Sequence, residues 1–578
     1  MLRISRFCVI LVAGLLLTAD LAAQSRYLDR RITVVLPPCS LETALLEVAK
    51  AGEFRLSYDA TLVDAGRTVR VQARDKTAGA VLDELLGGSA RPREVGRHVI
   101  LVRKRAEEPG NRQEKGILRG SVTDGNSRRP LPEVTVYDVA SRKSALTDAR
   151  GAFELALPSG PGPVGICFSK RGYGDTVVLA DRGRIARIDL VLQPEESRIE
   201  PLMPYSGRID FSPADSLGFV RWMVPQVTQI NSQNMEDRTG SAFQVSLIPY
   251  IGTNWKMTGS VTNRYSLNVL AGYTGGCTGV EVGGLLNISK GHVSGVQVGG
   301  LVNLAGGRIS GCQVAGLANY DLSAVGGVQV AGLLNVASDS LHGVQVAGLV
   351  GVLDGTARGA QLSGLLNVVT ANNDGWQVAG LVNVARRHSN GVQIAGLFNY
   401  ARMVHGLQLG LINVAHTVEK GVPVGLFSYV STGYHLVEVS GNEIFYGNVA
   451  YKSGTRRFYT FFQAGMGSDV KIHLSYGAGT LFSLGKKVSL NIDLSAGFVY
   501  HPVDTVYHGL ILKLMPAVEY RIARHFSVFA GPAGNYFLWP KGKPSATARG
   551  LSPYDLYSGS TANASIQVWI GGIAGVRF

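Results

Sequence analysis

Apolar and polar positions follow three successive patterns along the chain. Residues 24–104 mix strand and helix spacing. Ile32-Thr33-Val34-Val35-Leu36 reads as a strand, and Ser40 caps a helix over 41–51 with Leu41, Ala44, Leu45, Val48 and Ala49 on one face. Short strands at 55–58 and 69–73 follow. A second helix runs through Ala78, Val81, Leu82, Leu85 and Leu86, and a strand at 98–102 closes the unit. That order predicts a small α+β domain. After a charged, Pro- and Gly-containing linker at 105–115, residues 116–194 read as all-β, with clean alternation at Val134-Thr135-Val136-Tyr137 and a turn at Asp148-Ala149-Arg150-Gly151. Residues 195–240 carry Pro201, Pro204, Pro213 and Pro225 and read as an irregular tether, or as an unusually short plug.

The third pattern is a repeat. Glycines at 279, 295, 311, 327, 343, 359, 375 and 391 are 16 residues apart, and Gly406 and Gly421 follow at 15. After each comes a variant of Gly-Val-Gln-Val-Ala-Gly-Leu-Val-Asn-Val-Ala. Gln recurs at 297, 313, 329, 345, 361, 377, 393 and 408, with Glu281 in the first copy. Asn recurs at 287, 303, 319, 335, 367, 383, 399 and 413. Gly351 interrupts the Asn column, and Pro423 and Ser428 interrupt both columns in the last copy.

Each copy has a strand period, with one row apolar or Gly and the other small and partly amide. About eleven residues of strand and five of turn suit a transmembrane β-strand, which needs about 9–11 residues. Near-identical short units also stack as coils of a β-solenoid, placing each Gln and Asn above its equivalent. The apolar residues two places before the repeat glycine (Val293, Ile309, Val325, Leu341) favour the solenoid, as an open loop has no use for them. Central glycines at 284, 300, 316 and 332 mark either a coil corner or a kink in a curved strand. Strand length makes the barrel the preferred reading and the solenoid its alternative.

Beyond Tyr429 the repeat stops and alternation strengthens. Val488, Leu490, Ile492, Leu494, Ala496 and Phe498 interleave with Ser489, Asn491, Asp493, Ser495 and Gly497, and Lys513, Glu519 and Arg521 interleave with the apolar row of the next segment. The final row, Ile566, Val568, Ile570, Gly572, Ala574, Val576 and Phe578, ends on a terminal aromatic. Two candidate strands upstream (Phe243, Val245, Leu247; Tyr265, Leu267, Val269, Ala271, Tyr273), ten repeat strands and about seven after them give one barrel of roughly 18–20 strands. With solenoid repeats, the remaining strands give a barrel of about eight. Aromatics clustered at Tyr446, Tyr451, Phe458, Tyr459, Phe461, Phe462, Tyr536, Phe537 and Trp539 suit interface girdles or core packing.

Composition sharpens the compartment. Arg3 and Arg6, an apolar run at 7–18 and Leu21-Ala22-Ala23 read as a secretory signal over residues 1–23, too short for a membrane helix. Gly numbers 73, and charged residues are 17%. The basic residues behind the net charge of +14 are scattered through the N-terminal half without aromatic platforms, which with export argues against nucleic acid and leaves either a merely solvated surface or contact with anionic lipid headgroups or polysaccharide. Cys39, Cys167, Cys277 and Cys312 are few and far apart, which argues against a disulfide framework or a zinc site.

Three segments resemble known families. ITVVLPPCSLETALLEVAKAGEFRLSYDATLV with VRVQARDKTAGAVLDELLGGS resembles the secretin and TonB short N-terminal domain, which implies a periplasmic module and a signalling or TonB-type protein partner. GILRGSVTDGNSRRPLPEVTVYDVASRKSALTDARGAFEL resembles the carboxypeptidase regulatory-like domain, a β-sandwich without peptidase chemistry. GLQLGLINVA, at 406–415, resembles a bacterial surface-repeat family, and the terminal Phe578 resembles the outer-membrane insertion signal. The expected fold is therefore mainly β. It comprises a signal (1–23), an α+β domain (24–104), a linker (105–115), a β-sandwich (116–194), a second linker (195–240), first barrel strands and ten repeats (241–430), and C-terminal barrel strands (431–578).

No catalytic constellation emerges. His98, His388, His405 and His435 are isolated, Asp504 and His508 lack a nucleophile, and the Gly-rich turns lack a P-loop Lys-Ser/Thr. No enzyme, cofactor or metal is expected. The candidate functional residues are polar ones, lining a lumen or forming a ladder: Gln297, Asn303, Gln313, Asn319, Gln329, Asn335, Gln377, Asn383, Gln393 and Asn399. Two function classes remain: a pore, transport or signalling barrel for small polar solutes in outer-membrane lipid, or a non-conducting surface or structural repeat protein. The lack of a plug-length segment argues against a TonB-dependent receptor.

Overall fold

The computed structural model describes residues 27–58, 63–95, 98–103, 116–157, 163–181, 187–195, 213–235, 239–468, 471–501, 506–541 and 551–578. The expected signal, the 105–115 linker, Asp504 and residues 196–212 of the tether lie outside them. Two compact units form: one holds the N-terminal modules, the other the repeats and the C-terminal strands.

In the first unit, helices Leu41–Ala51 and Ala78–Leu86 bury the faces that their spacing predicts. Ser40 Oγ accepts from the Thr43 amide and Thr77 Oγ1 from the Ala80 amide, so each helix starts on a side-chain cap. Arg31–Ser40 pairs antiparallel with Thr68–Thr77, and His98–Arg103 lies between Arg55–Ser57 and Ala90–Val95.

The next module is two small sheets over a core of Leu118, Val122, Val136, Phe153, Ile166, Phe168 and Leu192. In its first turn the Asp124 carboxylate accepts from the Asn126 and Ser127 amides and the Tyr173 hydroxyl. Those donors pull its pKa down to about 2, the Tyr173 hydroxyl contributing most. The 195–240 segment departs from the expected tether, because Gln226–Asn234 is helical. Asn231 bonds Thr135 Oγ1, while Asn234 donates to the Glu133 carbonyl and takes in Ser169 through its own carbonyl, fixing this stretch to the module.

In the second unit the repeats form a flat β-solenoid, not strands of an 18–20-stranded barrel. Each coil has two short strands, such as Val293–Gly299 and Val302–Ala305, and consecutive coils pair parallel and in register. Gln297 thus faces Gln313, and Asn303 faces Asn319. The expected upstream barrel strands also belong here: Val261–Asn268 and Ala271–Thr274 make a preliminary coil, and Thr239–Ile248 closes the end of one sheet. Parallel stacking wins because it sets every amide one strand spacing, about 4.8 Å, from its equivalent. The corner glycines let sixteen residues close a coil this flat. A Cβ on Gly300 would sit 1.8 Å from the Gly284 carbonyl oxygen, so a side chain would force the coils apart.

The C-terminal strands close an eight-stranded antiparallel barrel. Tyr434–Asn442, Phe445–Gly454, Tyr459–Gly467, Ile472–Ser483, Val488–His501, Val506–Ala523, Phe526–Pro540 and Ala564–Arg577 run as a meander, and the last strand pairs back with the first. The mainly-β fold and the barrel are as expected, and the repeats take the solenoid alternative.

In-register stacking puts native Cys312 opposite Val328. A Val328→Cys variant should form a 312–328 disulfide on mild oxidation, seen by peptide mapping, since adjacent parallel strands lie within the roughly 4.4–6.8 Å Cα window. An antiparallel meander would leave both thiols free. Asp124→Asn should destabilise the sandwich module above about pH 4. Because the native carboxyl is held at about 2, below its ordinary 3.8, that stability is present above the unfolded value. It should fade as pH falls from about 4 to 2, read by local hydrogen exchange in residues 116–157.

Candidate functional site: amide ladders and a charge-filled barrel

The repeat strands turn Gln and Asn inward, and all ten candidate residues are fully buried. Each Gln donates from Nε2 to Oε1 of the Gln one coil earlier. The ladder runs Gln313 to Gln297 (2.8 Å), Gln329 to Gln313 (2.8 Å), Gln345 to Gln329 (3.0 Å), Gln361 to Gln345 (2.9 Å), Gln377 to Gln361 (3.1 Å) and Gln393 to Gln377 (2.8 Å). The Asn ladder runs the other way: Asn303 donates to Asn319 (2.9 Å), Asn319 to Asn335 (2.9 Å) and Asn383 to Asn399 (3.1 Å). Its second amide hydrogen goes to a backbone carbonyl of the following coil, as from Asn303 to Val314 (2.8 Å). Where Gly351 removes an Asn, Ser363 Oγ donates to Asn367 Oδ1 (2.6 Å) in its place.

Two carboxylates interrupt this amide core. Glu281 begins the Gln ladder and accepts from Gln297, Ser289 and Asn268. Asp321 accepts from Gln313 and Gln329. Glu281 is visible in the sequence as a variant of the Gln column, whereas Asp321 is not part of either column and stands where neighbouring coils carry Ala305 and Ala337. Its signal was an acid at a small-residue position of the inward row. The amides therefore spend their hydrogen bonds on one another, and the structure places all ten in ladders rather than around a lumen.

The barrel wall is also polar inside. Lys452 Nζ lies 2.8 Å from Glu438 and 2.5 Å from Asp493. Arg577 bonds Glu438 (2.8 Å) and Glu519 (2.6 Å), Tyr459 Oη bonds Asp493 (2.5 Å), and Asn491 bonds Glu519 (3.0 Å). Strands from every quarter of the barrel contribute, so the network crosses the bore. A second layer holds Glu443, which accepts from Trp569 Nε1 (2.8 Å) and Asn535 (3.2 Å), with His473 stacked on Phe445. Alternation placed Asp493 and Glu519 on the polar row. Nothing in the sequence joined them to Lys452 and Arg577, which meet only on closure.

Phe578 is exposed and packs on Phe526, and its backbone is stitched to Val437 in the closing seam. The aromatics divide: Tyr446 and Phe462 face out, whereas Tyr459, Phe461 and Phe537 fill the interior. His388 and His405 stack on each other at the solenoid's turn edge, and His435 packs on Tyr429. No family model and no curated protein matches the chain.

Gln329→Leu should leave the Gln345 amide without its acceptor and the Asp321 carboxylate without one donor. The expected loss is about 1–3 kcal/mol for each group left unpaired, read as faster amide exchange in the coils around 313–345. Arg577→Leu should cost about 3–5 kcal/mol by removing the cation paired with buried Glu519 and leaving Glu438 to Lys452 alone, read as a lower unfolding temperature of the barrel.

Proposed function

We propose that this chain is a non-conducting outer-membrane protein, anchored by its eight-stranded barrel, which holds the repeat solenoid and the N-terminal modules at the cell envelope. The observation that carries the reading is the barrel's reversed polarity. Its outer surface exposes Val449, Leu474, Leu494, Phe498, Val518 and Ile570, while Glu438, Lys452, Asp493, Glu519 and Arg577 are buried inside. In water that arrangement leaves a large apolar surface uncovered, whereas in a bilayer it is the stable one. Closure of the sheet leaves no unpaired edge, which lipid would penalise. Strands of nine to eighteen residues reach the roughly 9–11 needed to cross.

The surface or structural class is favoured over the pore class by the filled bore. Eight strands enclose a space just wide enough for side chains, and here the ion network occupies it. The secretory signal and the resemblance of residues 24–104 to the secretin and TonB short N-terminal domain support a periplasmic position for the first unit. That resemblance makes a signalling or TonB-type protein the partner class for the unit.

The mature chain should show a heat-modifiable shift on gels and should insert into planar bilayers without single-channel steps. Discrete conductance would return the protein to the pore class. A chain that shows no shift and stays in the aqueous phase would remove the barrel anchor.

A further inference from the structure

Polarity within a solenoid coil is inverted by position. Near the Gly-Leu corner the interior is amide (Gln297, Asn303) and the exterior apolar. At the opposite edge the interior is apolar, built from Val293, Ile309, Val325 and Leu341, and the exterior is charged, with Arg308, Asp354, Arg386, Arg387, Arg402 and Glu419. Five outward positions flank the corner, those of Val328, Val330, Leu333, Leu334 and Val336 in the fourth coil, while at the start of the stack Leu286, Ile288 and Leu304 are covered. Through ten coils none of the five carries a charged residue. The corner residue itself is leucine in all ten, from 285 to 426, each between 40% and 50% exposed. A water-facing solenoid has no reason to keep such a surface, nor to spend its interior on amides beneath it.

The last coil fixes the level of this band against the barrel. Tyr476, partway along its strand and paired with Phe462, donates from its hydroxyl to the Gly425 carbonyl at the leucine corner (3.0 Å). Arg457, in the tight turn between Gly454 and Tyr459, donates to the Lys420 carbonyl at the charged edge (3.4 Å). The charged edge thus sits at the barrel rim and the leucine corner beside the barrel's apolar wall. From Val296 to Leu301 the chain spans five residues, about 16 Å at strand rise. One leaflet of a bilayer whose hydrocarbon core is about 30 Å thick has about that depth.

We propose that the solenoid is itself a lipid-embedded element: its leucine corner inserts into the hydrocarbon of one leaflet, on the side of the barrel's 455–458 turn, and its charged edge lies among the headgroups. The inference rests on the barrel spanning the same bilayer. The amide ladders then do for the solenoid what the ion network does for the barrel, since polar groups bond one another and only apolar side chains meet lipid. The partner is acyl chain, and a ten-coil stack, about 48 Å long at strand spacing, displaces a row of lipids from one leaflet only.

The test uses the full mature chain in phosphatidylcholine vesicles, with a fluorescent label at Leu333→Cys, Leu349→Cys, Asp339→Cys or Leu494→Cys, each in a background with the native cysteines replaced by serine. Labels at 333 and 349 should lose fluorescence to acyl-chain nitroxides and be protected from aqueous iodide, and the 339 label should behave oppositely. The 494 label on the barrel wall should follow 333. Quenching at 494 but not at 333 or 349 would overturn the inference and leave the barrel anchor standing. Loss at 494 as well would overturn the anchor. Protection of 333 from both quenchers, with a cross-linked dimer, would show that a second copy covers the corner and would also overturn it.

Discussion

Polar groups turned inward in the second unit have to be satisfied within the protein, because the surface enclosing them is apolar. That constraint selects both of its architectures. A closed barrel satisfies the backbone of its strands and lets Lys452 and Arg577 neutralise the carboxylates they face. A solenoid satisfies its amides by repetition, Gln donating to the Gln before and Asn to the Asn after wherever one follows. The opposed directions of the two ladders also oppose their amide dipoles, so the core adds up little net field over ten coils.

Sixteen residues are few for a closed coil. They suffice here because glycine at the corner and glycine at the strand start let consecutive backbones approach where any side chain would clash. Gly327, at φ 142 with the Gly311 carbonyl oxygen 2.0 Å from a would-be Cβ, illustrates the second position. The abundance of glycine in the chain is thus a geometric requirement of the repeat. The first unit follows ordinary rules instead, with capped amphipathic helices and an apolar sandwich core.

Much of this was legible in the sequence. The helix faces at Leu41 and Ala78, the barrel strands after Tyr429 and the Gln and Asn columns all follow from periodicity. The choice between strand and coil did not, because a period of two is common to both and only the pairing direction separates them. Val293, Ile309, Val325 and Leu341 carry the deciding signal, an apolar residue where a loop needs none, while the eleven-residue strand span of each copy suits a membrane strand. The helix Gln226–Asn234 was hidden by flanking prolines and a polar composition, and it is held by Asn231 and Asn234 rather than by an apolar face. Asp321 and the Lys452–Arg577 network depend on closure and stacking, which bring together residues far apart in the chain.

The account stands on reversed polarity, an interior of amides and ions inside an apolar skin. The direct measurement is sedimentation velocity of the purified mature chain at one concentration, with and without a mild detergent. A monodisperse species in detergent that aggregates when detergent is removed, and is restored as a monomer by lipid nanodiscs, is the predicted result. A monodisperse monomer in detergent-free buffer, with unchanged strand content, would contradict it.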